Sequence, residues 1–187
     1  MIPKKHILQW SAKAPWTLES QIEQDLILSR IIVEIFSDPF LAKQLAFRGG
    51  TALHKLFLQQ PERYSEDIDL VMTKQGAIGQ ILDAIRAKLD HWLGEPRRTR
   101  TENRAKMLYK FETETQPIVE MRIKLEINTI ENFACLGYRQ KQFSVENPWF
   151  SHSADVKKAA ICLICTFVQS NFLNFIYIKL LTVFITI

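Results

Sequence analysis

The sequence predicts an α/β or α+β domain in which a mixed β-sheet is flanked by helices. Apolar residues recur every three or four positions in some segments, as in amphipathic helices, and every second position in others, as in strands with one buried face. These segments alternate in the order helix, strand, helix, strand, helix, strand, strand. That order favours a mixed sheet with helices packed against it.

The first half of the chain supplies two predicted helices and the segment between them. Residues 17–36 have the apolar spacing of an amphipathic helix, with Thr17 as its N-cap. Residues 41–47 predict a short helical turn that leads into a strand, and residues 51–58 predict a second helix. The run Arg48-Gly49-Gly50-Thr51 breaks the pattern before that second helix.

The next predicted elements are a strand and a helix. Residues 67–72 alternate acidic with apolar side chains, which is typical of a strand with one buried face. Asp67 and Asp69 therefore share the other face. Residues 78–92 then have the periodicity of an amphipathic helix, which ends before Gly94.

The last predicted elements are two strands, residues 105–113 and 118–128. In the second of these strands the apolar side chains point one way, and Lys124 and Glu126 point the other way. If this strand lies beside the strand at residues 67–72, Glu126 joins the two aspartates.

Composition allows one globular domain of 187 residues, with 47% hydrophobic and 24% charged residues. The net charge of +4 permits a polyanionic partner without demanding one. One basic stretch is either a surface that contacts phosphates or a solvated loop and strand edge. Its cations are Arg97, Arg98, Arg100, Arg104, Lys106 and Lys110.

The three cysteines, Cys135, Cys162 and Cys165, form neither a disulfide framework nor a complete zinc ligand set, which favours a reducing cytoplasm. No secretory signal is evident at the N-terminus.

We expect a catalytic lobe at residues 1–156 and an atypical apolar tail at residues 157–187. The tail is a membrane-spanning segment, a buried helix or strand pair, or a foreign segment that replaces the ancestral C-terminus.

Three acidic residues have the spacing that phosphoryl and nucleotidyl transfer needs. Two magnesium ions in such enzymes neutralise the phosphates and align the attacking and leaving oxygens, and magnesium prefers carboxylate oxygens. Asp67 and Asp69 supply two carboxylates on one face, and Glu126 is the best candidate for the third. Gly49 and Gly50, before a predicted helix N-terminus, would let backbone amides approach a phosphate closely.

These motifs resemble the AbiEii family of nucleotidyltransferase toxins, a branch of the polymerase-β-like nucleotidyltransferase superfamily. The resemblance rests on Phe47-Arg48-Gly49-Gly50-Thr51-Ala52-Leu53, on Ser65-Glu66-Asp67-Ile68-Asp69 and on Lys124-Leu125-Glu126. It extends over residues 21–156, and the lysine and aspartate segments that family members carry further on are not found. A frameshift, insertion or truncation after Val156 would explain this departure.

The resemblance implies a nucleotidyltransferase fold and a role for each motif residue. Asp67, Asp69 and Glu126 would bind Mg²⁺, and Lys124 would neutralise phosphate charge beside them. The remaining candidates, which would contact the nucleoside triphosphate, are Gly49, Gly50, Thr51 and Ser65.

The function that the resemblance implies is that of a cytoplasmic toxin in an abortive-infection toxin-antitoxin pair. Such a toxin transfers a nucleotide from a nucleoside triphosphate to an RNA acceptor such as tRNA, and a neighbouring gene encodes its antitoxin. No membrane partner is expected. Two alternatives stay open: an inactive remnant that only binds nucleotide or partner, and a protein attached to a membrane through residues 159–187.

Overall fold

A computed structural model describes residues 2–58, 64–130, 134 and 137–159 of the chain. Five helices and seven strands lie within these residues, numbered here in chain order. The helices are α1 Lys4–Trp10, α2 Glu19–Ser37, α3 Pro39–Gln44, α4 Gly49–Phe57 and α5 Ile78–Leu93. The strands are β1 Leu45–Arg48, β2 Asp67–Met72, β3 Arg97–Arg100, β4 Arg104–Glu112, β5 Glu120–Asn128, β6 Tyr138–Asn147 and β7 Phe150–Ala159.

The strands form a single seven-stranded sheet in the order β3-β4-β5-β2-β1-β7-β6. The pairs β2–β5 and β1–β7 are parallel, and the other neighbouring strands are antiparallel. The predicted mixed sheet with helices is therefore confirmed. Strands β2 and β5 are neighbours, which is the condition under which Glu126 joins Asp67 and Asp69.

The two faces of the sheet differ in chemistry because side chains alternate along each strand. Ile68, Leu70, Ile123 and Leu125 point into the main hydrophobic core, which the helices cover. The intervening positions of β2 and β5 carry the charged side chains to the opposite face. We call this opposite face the acid face of the sheet, since it presents Asp67, Asp69 and Glu126.

Helix α2 is the central helix of the core, and several of its polar side chains are buried with its apolar ones. The prediction of Thr17 as its N-cap is wrong: Leu18 occupies that position, and no side chain caps the helix. Tertiary contacts fix the approach of the chain instead. Trp16 Nε1 donates a hydrogen bond of 2.9 Å to Asp25, one turn and a half inside α2.

A buried ion pair joins α2 to α4. Lys55 Nζ lies 2.7 Å from both carboxylate oxygens of Asp25, and both side chains are almost fully buried. The indole of Trp10 donates to the same carboxylate at 2.8 Å, and that of Trp16 completes its partners. Because a buried charge needs both an opposite charge and hydrogen bonds, this network holds α4 at a fixed position against the core.

Strand β7 is the last element that the structure describes. Strand β7 runs to Ala159, three residues past the boundary expected at Val156, and pairs with β1 in the middle of the sheet. The three cysteines and nearly all of the apolar tail lie outside the described residues. Among residues that are described, no helix is long and apolar enough to cross a membrane.

Candidate functional site

The candidate site lies on the acid face, where β2 and β5 run side by side. Parallel pairing aligns Asp67 with Lys124 and Asp69 with Glu126. Neighbouring strands are about 4.8 Å apart, so the aligned side chains are close enough to interact directly. Four of the residues singled out in the sequence therefore lie together on two strands.

The three carboxylates interact electrostatically. Burial raises the pKa of Asp69, and the nearby carboxylates of Asp67 and Glu126 raise it further, while Lys124 and Arg48 oppose that rise. Like charges disfavour ionisation of a group that lies among them. A bound cation would therefore reduce the repulsion among these carboxylates and favour the ionised form of Asp69.

Lys124 is bound to the first of these acids. Its Nζ lies 2.7 Å from Asp67 Oδ2 and 4.0 Å from Glu126 Oε2. The hydrogen bond to Asp67 is the main reason that the pKa of Lys124 is raised above its usual value. The lysine therefore remains charged at neutral pH, and it lies beside an acid of β2 and an acid of β5.

Glu126 has two further cationic partners on β4. Arg104 Nη1 lies 2.9 Å from Glu126 Oε1, and Lys106 Nζ lies 3.4 Å from Oε2. The glutamate side chain is 14% exposed, against 51% and 44% for the arginine and the lysine. The carboxylate is therefore more buried than the two cations that pair with it.

The backbone at Gly49 approaches the acids from the other side. Arg48 is paired with Asp69 across the antiparallel β1–β2 ladder, and α4 starts at the next residue. Gly49 has a φ of +82°, and a Cβ atom built there would collide with Asp69 Oδ2 and lie 3.2 Å from Asp69 Cγ. Glycine is required here by both the left-handed backbone and the close approach. At Gly50 a Cβ atom would meet nothing within 4 Å.

The first amides of α4 are free of helical partners, as at any helix N-terminus, and they begin beside Asp69. The Thr51 side chain forms its hydrogen bonds within the protein. The side chain is buried, and Thr51 Oγ1 donates to the Asp67 carbonyl oxygen at 2.6 Å and lies 2.5 Å from Ser65 Oγ. The hydroxyl groups of Thr51 and Ser65 thus join α4 to the start of β2.

The donor chemistry of the site suits a hard divalent cation. Asp67, Asp69 and Glu126 offer carboxylate oxygens, the ligand type that Mg²⁺ prefers. Within the described ranges, however, no three acidic, histidine or cysteine side chains are already grouped in a geometry that would hold a metal ion. The reason is visible in the contacts: Lys124 is bound to Asp67, and Arg104 and Lys106 are bound to Glu126.

Three cationic neighbours were missed as parts of this site. Arg48 precedes the glycine pair directly, yet only the β1–β2 register aligns it with Asp69. Arg104 and Lys106 were singled out as part of a basic stretch, but the sequence contains no signal for the β4–β5 register that brings them to Glu126. Alternation along β4 shows that they share a face without showing what they face.

Comparison with known proteins shows the family of the chain. A family model described as "Nucleotidyl transferase AbiEii toxin, Type IV TA system" matches residues 30–161. No curated protein sequence matches the chain.

Two solved structures show the extent of the structural similarity. The nucleotidyltransferase toxin MenT4 from Mycobacterium tuberculosis H37Rv is 12% identical, with a TM-score of 0.51, over 87% of this chain and 56% of that one. JHP933 from Helicobacter pylori is 20% identical, with a TM-score of 0.48, over 65% of this chain and 49% of that one. The similarity to MenT4 concerns the fold alone, and the chain spans about half the length of these proteins.

Proposed function

The chain belongs to the AbiEii family of nucleotidyl transferase toxins, and we propose that it transfers a nucleotide from a nucleoside triphosphate to an RNA acceptor such as tRNA. One observation carries this proposal. Asp69 and Glu126 are aligned across parallel strands, Asp67 precedes them on the same face, and the backbone of Gly49 is packed against Asp69. Carboxylates and free helix amides then meet at one point, as phosphoryl chemistry requires.

In this proposal Asp67, Asp69 and Glu126 hold Mg²⁺. The like-charge repulsion that raises the pKa of Asp69 supports such a role, because a divalent cation would relieve it. When bound, the metal supplies charge neutralisation at the phosphates and alignment of the reacting oxygens. Lys124 then becomes available to pair with a phosphate oxygen.

The phosphates of the nucleotide would bind at the start of α4. The amides of Gly49 and Gly50 and of Thr51 have no partners within the helix, and the helix dipole favours an anion there. Glycine keeps the backbone close to Asp69, so that a phosphate held by these amides would lie beside one of the proposed metal ligands. Ser65 supports this arrangement through its contact with the Thr51 hydroxyl.

The wider biological role is also part of the proposal. The family description names a type IV toxin-antitoxin system, so we infer a separately encoded antitoxin as a partner, with the abortive-infection role that the sequence resemblance implies. RNA and nucleoside triphosphates are cytoplasmic substrates, which favours action in the cytoplasm.

A transfer assay tests the proposal. The full chain is incubated with Mg²⁺, each α-labelled nucleoside triphosphate in turn and total RNA, beside an Asp67→Asn, Asp69→Asn double variant. We expect label to become bound to RNA with the parent chain and not with the variant. Label that stays unincorporated, while the parent still binds triphosphate through these acids, would contradict transfer and favour the inactive remnant.

A further inference from the structure

The edge of the sheet beyond β4 carries a row of arginines with no role in the site so far. Three of the four residues of β3 are arginines, namely Arg97, Arg98 and Arg100, and every residue of this strand is exposed. None of the three forms an ion pair with any residue in the part of the chain that the structure describes. Exposed cations that lack acidic partners along an edge strand are available to an external anion.

Strand β4 connects this edge to the acids: Arg98 and Arg100 are paired with Met107 and Ala105 and point to the α5 side of the sheet, while Lys106 points to the acid face. A cleft of about 600 Å³ between β3 and α5 is lined by Arg98, Arg100 and Lys106 together with Asp83, and Lys106 reaches Glu126. A neighbouring cleft of about 230 Å³ is lined by Arg100, by Glu102 and by Arg104, which also reaches Glu126. The two clefts share Arg100, and the four cations of β3 and β4 that line them outnumber the two lining acids, Asp83 and Glu102.

The amides of α4 and the arginines of β3 lie on opposite sides of the acids. The phosphate-binding amides of α4 approach Asp69 from the β1 side, while Glu126 and the arginines lie on the β5 side. In phosphoryl transfer the attacking and leaving oxygens are in line, on opposite sides of the phosphorus. If the leaving phosphates are held at Gly49, the acceptor must enter from the side of β5, β4 and β3.

We propose that the exposed edge made by β3 and β4 binds the sugar-phosphate backbone of the acceptor RNA strand and directs its reacting end toward Glu126. This inference rests on the proposed function and extends it to the second substrate. We call the surface the basic edge, defined by Arg97, Arg98, Arg100, Arg104 and Lys106.

The chemistry of the basic edge fits a nucleic acid backbone better than a protein or a base. No aromatic side chain lines the larger cleft, so it has no platform on which bases could stack. Its cations are spaced along a strand, as suits successive phosphates. Arg104 and Lys106, once released from Glu126 by a bound cation, would add two contacts nearest the reacting end.

The test uses fluorescence anisotropy of the full chain with a fluorescein-labelled, mixed-sequence single-stranded RNA of 20 nucleotides. The edge variant is Arg97→Gln, Arg98→Gln, Arg100→Gln, which leaves every residue of the acid site unchanged. Each phosphate contact contributes about 0.7 to the slope of log affinity against log salt for single strands, so three lost contacts should lower the slope by about 2. At moderate salt the affinity should fall by at least about tenfold.

The matched control removes the same charge from the helical layer. It is the triple variant Lys4→Gln, Lys5→Gln, Lys13→Gln, whose lysines lie on or just after α1, and it should bind the RNA like the parent. A second variant, Arg97→Lys, Arg98→Lys, Arg100→Lys, keeps the charge and should retain most of the affinity. This charge-conserving variant also shows whether the strand tolerates substitution.

Each outcome supports or overturns the proposal that the basic edge binds the acceptor RNA. Loss of RNA affinity in the edge variant alone supports it. Equal loss in the edge and control variants, no RNA binding by the parent, or displacement of the RNA by poly-L-glutamate at lower charge concentration than by unlabelled RNA would overturn it.

Failure of the proposed function would look different. Binding of Mg²⁺ and triphosphate is measured on the same samples, and the edge variant should keep it. A parent chain that binds RNA through the basic edge but never incorporates a nucleotide would refute the proposed function and leave the RNA-binding surface intact.

Discussion

Replacing Gly49 with alanine perturbs the site where the backbone of α4 approaches Asp69. The new Cβ atom would collide with Asp69 Oδ2, and the residue would have to keep a φ of +82°. A left-handed backbone costs an L residue about 1–2 kcal/mol, and pushing the Asp69 side chain off its rotamer costs roughly 0.5–1.5 kcal/mol. Reduced freedom of the unfolded chain offsets about 0.4–1 kcal/mol of this.

The expected net loss for Gly49→Ala is therefore about 1–3 kcal/mol, which lowers the Tm of a chain of this size by roughly 3–10 °C. Thermal unfolding followed by circular dichroism measures it. Nucleotide transfer should fall as well, because the displaced carboxylate is one of the proposed metal ligands.

Gly50→Ala is the matched control, one residue along in the same helix. Its Cβ atom would meet nothing within 4 Å, and its backbone is not left-handed. Stability should stay the same or rise by up to about 1 kcal/mol, as expected for alanine in a helix. Equal Tm values for the two variants would refute the close approach of Gly49 to Asp69. A stable Gly50→Ala variant that loses transfer would indicate a phosphate in contact with Gly50.

Three further predictions concern charge. Asp69→Asn should raise the free energy of unfolding at pH 7 while it removes transfer, since burial and like charges raise the pKa of this carboxyl; lower stability in urea titrations would contradict this. Lys55→Met should cost about 3–5 kcal/mol by leaving Asp25 buried without its cation; the exposed Lys13→Met control should cost less than about 1 kcal/mol, and equal losses would contradict the importance of burial. Burial, with Lys55 nearby, lowers the pKa of His54 to about 4. As the pH falls, the unfolded chain therefore takes up a proton on His54 before the folded chain does, and the free energy of unfolding should decline between about pH 6.5 and about pH 4. His54→Gln should flatten this decline in unfolding curves, and an unchanged pH profile would contradict it.

Most of the sheet that holds the acids could be predicted from the sequence, because it has strong local patterns. Strand β2 covers the predicted residues 67–72, and α5 and β5 begin and end within two residues of their predicted bounds. Helix α4 begins at Gly49, two residues before the predicted start, because glycines that usually break a helix here form its first turn.

Other elements gave no such signal. Strand β3 consists almost entirely of arginine, so it has no apolar alternation, and it exists as a strand because it pairs with β4. Strand β6 is mostly polar and exposed and is defined by its pairing with β7. Each of these strands is defined by pairing with the next strand of a hairpin, which periodicity within one segment does not report.

The site was predictable in its residue types and not in its pairing. The alternation in β2 indicated that Asp67 and Asp69 share a face, as they do. The cations bound to Glu126 and the role of Thr51 in joining α4 to β2 depend on register and burial, which only the folded chain defines. That is why a site expected as three converging acids has its acids paired with Lys124 and with two cations of β4.

The most direct test of the central claim is a Mn²⁺ titration of the full chain followed by electron paramagnetic resonance, with Mn²⁺ as the probe for a hard divalent cation. Asp67→Asn, Asp69→Asn and Glu126→Gln should each weaken Mn²⁺ binding by at least about tenfold, as loss of a ligand does at least as much as loss of a supporting residue. Glu120→Gln, on the same strand but in an exposed pair with Lys110, should bind Mn²⁺ like the parent. Binding by the parent that none of the three substitutions weakens would contradict the account.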